Sequence, residues 1–110
     1  MIGRLQRRSD FARLTEEGTY VRFGGLWCRM IADSHLEQPQ VGYAIGRSFG
    51  SAVQRNRMRR RLRVLLQAQA DDLRPGLYLL GAQSSLLTAS PSDLGRAVAG
   101  LLDRIANHYE

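Results

Sequence analysis

The sequence predicts an α/β domain of the α+β type, a two-layer sandwich with element order α-β-β-β-α-β-α and a four-stranded sheet packed under its helices. Three observations carry that expectation. A chain of 110 residues is one domain's worth and can bury roughly 65% of its unfolded surface. With 44% hydrophobic residues and one Trp among its aromatics, it can fill a core, unlike a disordered basic tail. Finally, segments with helical periodicity and caps alternate with short extended runs bounded by Gly, Pro and polar residues. No internal repeat or low-complexity stretch interrupts the chain, so residues 1–110 read as one domain.

Taken in order, a basic arm with Arg4, Arg7 and Arg8 comes first. Ser9 then has the chemistry of an N-cap and Gly18 that of the residue after a helix C-terminus, which brackets a short helix with Phe11 and Leu14 turned inward. Extended runs follow at Tyr20 to Phe23, Leu26 to Ala32 and Val41 to Gly46, separated by Gly24-Gly25 and the polar stretch Asp33 to Gln40, in the pattern of a meander. In the third run Val41, Tyr43 and Ile45 alternate with Gly42, Ala44 and Gly46. Such a small-residue face admits either a ligand close to the backbone or a tight helix-on-sheet contact.

Ser51 and Gln54 have capping-box spacing and open a helix that runs to about Ala70. Pro75-Gly76 turns the chain into a buried strand, Leu77 to Leu80. Ser90-Pro91-Ser92-Asp93 supplies an N-cap, a first-turn Pro and an acid for a last helix from about Pro91 to Asn107. Its Leu94, Val98, Leu101, Leu102 and Ile105 recur at helical spacing and read as core. One sheet face is thus covered by helices, which leaves the other for solvent or a partner.

All sixteen basic residues are Arg, and ten acids leave a net charge of +6. Such a surface seeks polyanions. Guanidinium forks suit phosphates and stack on bases, so all-Arg usage fits RNA binding, although a biased genome gives the same composition. The single Cys28 excludes an internal disulfide, and its apolar surroundings from Leu26 to Ile31 suit a buried structural thiol. Met1 is followed by no apolar stretch resembling a signal peptide or membrane span, so a cytoplasmic protein without a membrane partner is expected.

The strongest local field lies between Glu37 and Asp71, a window without acids that holds Arg47, Arg55, Arg57, Arg59, Arg60, Arg61 and Arg63. On the central helix Met58, Leu62 and Leu65 share one side, while Asn56, Arg60, Arg63 and Gln67 share the opposite side. A solvated surface helix intersperses Glu to form i,i+4 pairs, whereas six Arg within Arg55 to Arg63 repel one another unless an external anion is present. That favours phosphate binding over a merely solvated face. The free N–H groups after Gly50-Ser51 add to the attraction.

The run Val41 to Arg63, VGYAIGRSFGSAVQRNRMRRRLR, closely resembles the signature of the bacterial ribonuclease P protein family. The matching features are Arg47-Ser48, Gly50, Ala52-Val53, Arg55-Asn56-Arg57, then Arg59, Arg60 and Arg63, with Asp10-Phe11 and Gly18 agreeing further upstream. The resemblance implies a mixed sheet with a left-handed βαβ crossover, against the general right-handed rule. It also implies a single RNA-binding domain that serves as the protein subunit of a ribonucleoprotein endonuclease maturing the 5′ end of transfer RNA. There the catalytic RNA performs Mg2+-dependent hydrolysis, and the protein has no catalytic residue of its own. By the same resemblance Arg47, Arg55, Asn56, Arg57, Arg59, Arg60 and Arg63 meet the catalytic RNA, one protein per RNA. A cleft beside the first helix takes the single-stranded leader of precursor tRNA, with Phe11, Tyr43 and Arg29 as candidates; core packing is the competing reading for both aromatics. The chain departs from the family at Thr15 and Arg29, where an aromatic is common, and at Gln83, where a basic residue is usual. Leader binding is therefore expected to lean on charge.

Two other classes compete. A protein-only nuclease needs clustered carboxylates or His, but the acids form no such sequence motif and the only His are His35 and His108. A non-catalytic RNA-binding or ribosomal-type module shares the basic helix on a strand-rich domain. A DNA-binding regulator lacks any helix-turn-helix partner before that helix.

Overall fold

The computed structural model describes residues 2–69 and 73–109; the expected helix end near Ala70 lies outside them. The elements are β1 (Gly3–Arg4), α1 (Arg8–Glu17), β2 (Thr19–Phe23), β3 (Leu26–Ala32), β4 (Gln40–Tyr43), α2 (Ala52–Ala68), β5 (Gly76–Ala82), a 3₁₀ turn (Ser84–Thr88) and α3 (Pro91–His108). The α/β class and the order of the long elements match the sequence reading. The sheet, however, has five strands and not four, in the order β1-β4-β5-β3-β2. The added strand is part of the basic arm: Gly3 N–H donates to Pro39 O at 2.8 Å and Leu5 N–H to Val41 O at 3.1 Å. Two residues are too few to show a period of two, so β1 is invisible to patterning.

The meander is also corrected. Only β2 and β3 form a hairpin, closed by Gly24 at φ 60° and Gly25 at φ 87°, backbone angles that side chains with a Cβ rarely adopt. After β4 the chain runs through α2 and returns as β5, which lies between β3 and β4, antiparallel to the first and parallel to the second. Apolar patterning marks a strand as buried but does not name its neighbour. β4 also stops three residues early, at Tyr43, because the chain bends away after Ala44 N–H bonds Leu80 O at 2.6 Å.

The capping box of α2 is present, with Ser51 N–H bonded to Gln54 Oε1 at 2.8 Å and Gln54 N–H to Ser51 Oγ at 3.2 Å. At α3, Ser90 Oγ accepts from Asp93 N–H at 3.1 Å. At α1, Ser9 is not the cap: the helix starts at Arg8 after Arg7, with no side-chain cap. Gly18 follows that helix in extended rather than left-handed backbone, and its lack of a Cβ spares a clash with Leu14 O.

One face of the sheet carries the main core, where Leu26, Cys28, Met30, Tyr78 and Leu80 meet Met58, Leu62 and Leu66 of α2 and Leu94, Val98, Leu101, Leu102 and Ile105 of α3. The second face is not wholly free. There α1 sets Leu14 against Leu5 and Leu77, with Phe11, Ile31 and Leu79 packed around them. Gly42 belongs to this contact, since a Cβ there would press on Leu5 and Phe11. The small-residue alternation at Gly42 thus serves a helix-on-sheet contact.

Candidate nucleic-acid interface

The apolar stripe of α2 fixes which way its arginines point. Because Met58, Leu62 and Leu66 are buried, Asn56, Arg57, Arg60, Arg63 and Gln67 are exposed. Leu65, expected on the buried side, is only half-buried, and Leu66 takes its place in the core. Arg47 is exposed in the loop between β4 and α2, and Arg55 is half-buried. Arg59 and Arg61 are engaged by the protein itself. Arg59 donates to Asn56 Oδ1 at 2.7 Å and to Ile45 O at 3.1 Å, which ties α2 to the end of β4. Arg61 donates to Ala89 O at 3.0 Å. Among the described residues the ion pairs are Arg13 with Glu17, Arg96 with Asp93 and His35 with Asp33. None includes an arginine of α2, so its charges are uncompensated within the described fold.

Beside this ridge lies a groove of about 510 Å³, lined among others by Arg4, Phe11, Gly42, Tyr43, Arg59 and Arg63. It brings together two of the three expected cleft residues. Phe11 arrives from α1 and Tyr43 from β4, and the Arg63 guanidinium sits 5.8 Å from the centre of the Tyr43 ring. Burial raises the Tyr43 phenol above its ordinary pKa, with Arg63 opposing. Arg29 stands apart from this groove, 5.5 Å from the Tyr20 ring centre on β2. Arg4 joins the lining only because β1 docks on β4, and no sequence signal points to that pairing.

Cys28 is buried, and burial pushes its thiol up to about 12, so it has no nucleophilic character at neutral pH. Among the described residues no three His, Cys, Asp or Glu gather as a metal-binding group. No helix of the described chain is long and apolar enough to cross a membrane.

A half-covered mixed sheet bearing an unpaired arginine ridge beside an aromatic-lined groove defines the class: a basic α/β domain with a concentrated positive surface. The family follows from comparison. The model of the family "Ribonuclease P" matches residues 3–106, and the chain belongs to that family. It is similar to the ribonuclease P protein component of Beutenbergia cavernae, with 35% identity over 90% of this chain and 84% of that protein. Among solved structures, the Staphylococcus aureus RNase P protein superposes with TM-score 0.85 at 16% identity, covering 93% of this chain and 94% of that one. The RNase P protein from Thermotoga maritima gives 0.81 at 20% identity, covering 92% and 96%. The chain is thus a protein component of the ribonucleoprotein endoribonuclease that processes tRNA 5′ ends, and its family implies an RNA subunit as partner.

Proposed function

We propose that the exposed arginines of α2 bind the catalytic RNA and that the groove holding Phe11 and Tyr43 takes the single-stranded 5′ leader of precursor tRNA. The observation that carries this reading is the α2 ridge: Arg57, Arg60 and Arg63 are exposed and make no ion pair among the described residues. Phosphates of a folded RNA are the natural counterions, and their release makes binding favourable at low salt. Asn56, Arg47 and Arg55 extend the contact. Arg59 contributes mainly by holding Asn56 and the β4 end in place. In the groove, the ring of Phe11 and the Arg63–Tyr43 pair offer planes to unpaired bases without selecting one sequence.

Hydrolysis belongs to the RNA and its Mg2+. Neutralising RNA phosphates here lets leader and catalytic RNA approach each other at lower magnesium. One protein per RNA, acting in the cytoplasm, completes the proposal. The test is to add the purified chain to a bacterial catalytic RNA and follow 5′ leader removal from precursor tRNA at low magnesium. Stimulation is expected, and its absence with cognate RNA would overturn the reading.

A further inference from the structure

On the sheet face that α1 covers in part, the alternation of β2 and β3 places Tyr20 opposite Arg29 and Arg22 opposite Trp27, all turned away from the main core. Tyr20 is 49% exposed, an unusual position for so large a ring unless something covers it. Its ring stacks on Trp27 with centroids 6.1 Å apart and planes inclined by 28°. The Arg29 guanidinium lies 5.5 Å from the Tyr20 centroid. Trp27 is held by Gly81 on β5, whose missing Cβ leaves room for the indole against the strand. The result is a supported aromatic shelf with a cation built into it.

The shelf opens at the hairpin end into a groove of about 450 Å³ whose lining includes Tyr20, Arg22, Trp27, Gln83 and Arg104 and no acidic residue. It and the groove at Phe11 share no lining residue, and α1, packed on β3 and β5, lies between them on the same sheet face. Register places Gly42, Leu79, Arg29 and Tyr20 in one row across β4, β5, β3 and β2, and Phe11 packs on Gly42 at its far end. Three strand spacings, roughly 14 Å, separate the two ends. From this we propose that Tyr20 and Trp27, flanked by Arg29 and Arg22, form a second base-stacking platform. It binds unpaired nucleotides of the RNA strand that passes Phe11, further along that strand. Stacked rings with interleaved guanidinium groups and no carboxylate match the π-faces and phosphates of a single strand. The inference rests on the reading of Phe11 and its groove as a leader site, and it extends that site to the opposite edge of the sheet.

Trp27 is the only Trp, so its emission reports on the platform alone. The full chain is titrated with a labelled oligouridylate, with Trp27 emission and oligonucleotide anisotropy followed together. Saturable quenching is expected in step with binding. Tyr20→Ala should weaken it about ten-fold, as loss of one stacked base does, and Tyr20→Phe should restore it. In the reconstituted holoenzyme, Tyr20→Ala should weaken binding of a precursor with a long leader and leave one with a short leader unaffected. An oligonucleotide that fails to bind, or that binds without quenching Trp27, overturns the platform, as does Tyr20→Ala binding like the parent. Quenching without any stimulation of catalytic RNA keeps the platform and defeats the function proposed above. Stimulation without quenching defeats the platform alone.

Discussion

Arg59 and Arg60 are neighbours in sequence, yet the protein itself engages only the first. Arg59 spends its guanidinium on Asn56 and Ile45 O, whereas Arg60 is exposed and free of ion pairs among the described residues. Replacing both Arg57 and Arg60 by Ala is therefore expected to weaken binding to catalytic RNA at low salt by about thirty- to several-hundred-fold, from charge-assisted contacts of about 1–2 kcal/mol each. The thermal midpoint should barely move, and a filter-binding titration beside a thermal melt checks both. Arg59→Ala should behave differently, lowering stability by about 1 kcal/mol because a half-buried carbonyl loses its donor. An urea titration in which Arg59→Ala matched the parent would remove its anchoring role. Both arginines belong to one motif in the sequence, and their separate duties appear only once Ile45 is brought beside α2.

The helices were the most legible elements. Ser51 with Gln54, and Ser90 with Pro91, mark two starts that the hydrogen bonds then occupy, because caps act within four residues of sequence. Ser51→Ala should cost about 1 kcal/mol of stability, and it should also weaken RNA binding by fraying the turn that carries Arg55. Denaturant midpoints and RNA affinity measured on one preparation decide this, and an unchanged midpoint would show the cap to be dispensable. At α1 the sequence expectation fails by two residues, since Ser9 lies inside the helix and the N-cap position is Arg7, without a side-chain cap. The strands were located but wrongly joined. Leu77 to Leu80 reads as buried from composition alone, while its place between β3 and β4 depends on the path of α2.

Two properties belong to the whole molecule. If the arginine ridge displaces counterions from about six phosphates, log K for catalytic RNA falls against log salt with a slope of roughly −4 to −5. Affinities measured across a series of salt concentrations give that slope directly, and a flat line would show binding that is not electrostatic. The core also holds groups that resist ionisation. Cys28 is raised from 9.0 to about 12 by burial, and burial raises the phenols of Tyr78 and Tyr43 as well, with the Tyr109 hydroxyl bond adding at Tyr78. The folded chain keeps protons that the unfolded chain releases. The contribution of Cys28 is thus fully present below pH 9 and is lost between pH 9 and about 12, by up to about 1.4 kcal/mol per pH unit, and the two phenols add to the decline above pH 10. Thermal midpoints taken from pH 8 to 11 should fall accordingly, with Cys28→Ala flattening the first part of the decline.

Charge, caps and the central motif are local or additive, so composition and spacing sufficed for the class of fold, the start of α2, the limits of α3 and the outward face of Arg57, Arg60 and Arg63, and the resemblance of the central motif for the family. Contacts between distant segments are neither. The pairing of Gly3–Arg4 with β4, the insertion of β5 beside it, the engagement of Arg59 and the meeting of Tyr20 with Trp27 and Arg29 were decided by the tertiary structure. A strand's pattern records which of its faces is buried and carries no record of the neighbour that buries it, because backbone hydrogen bonds are the same for every partner.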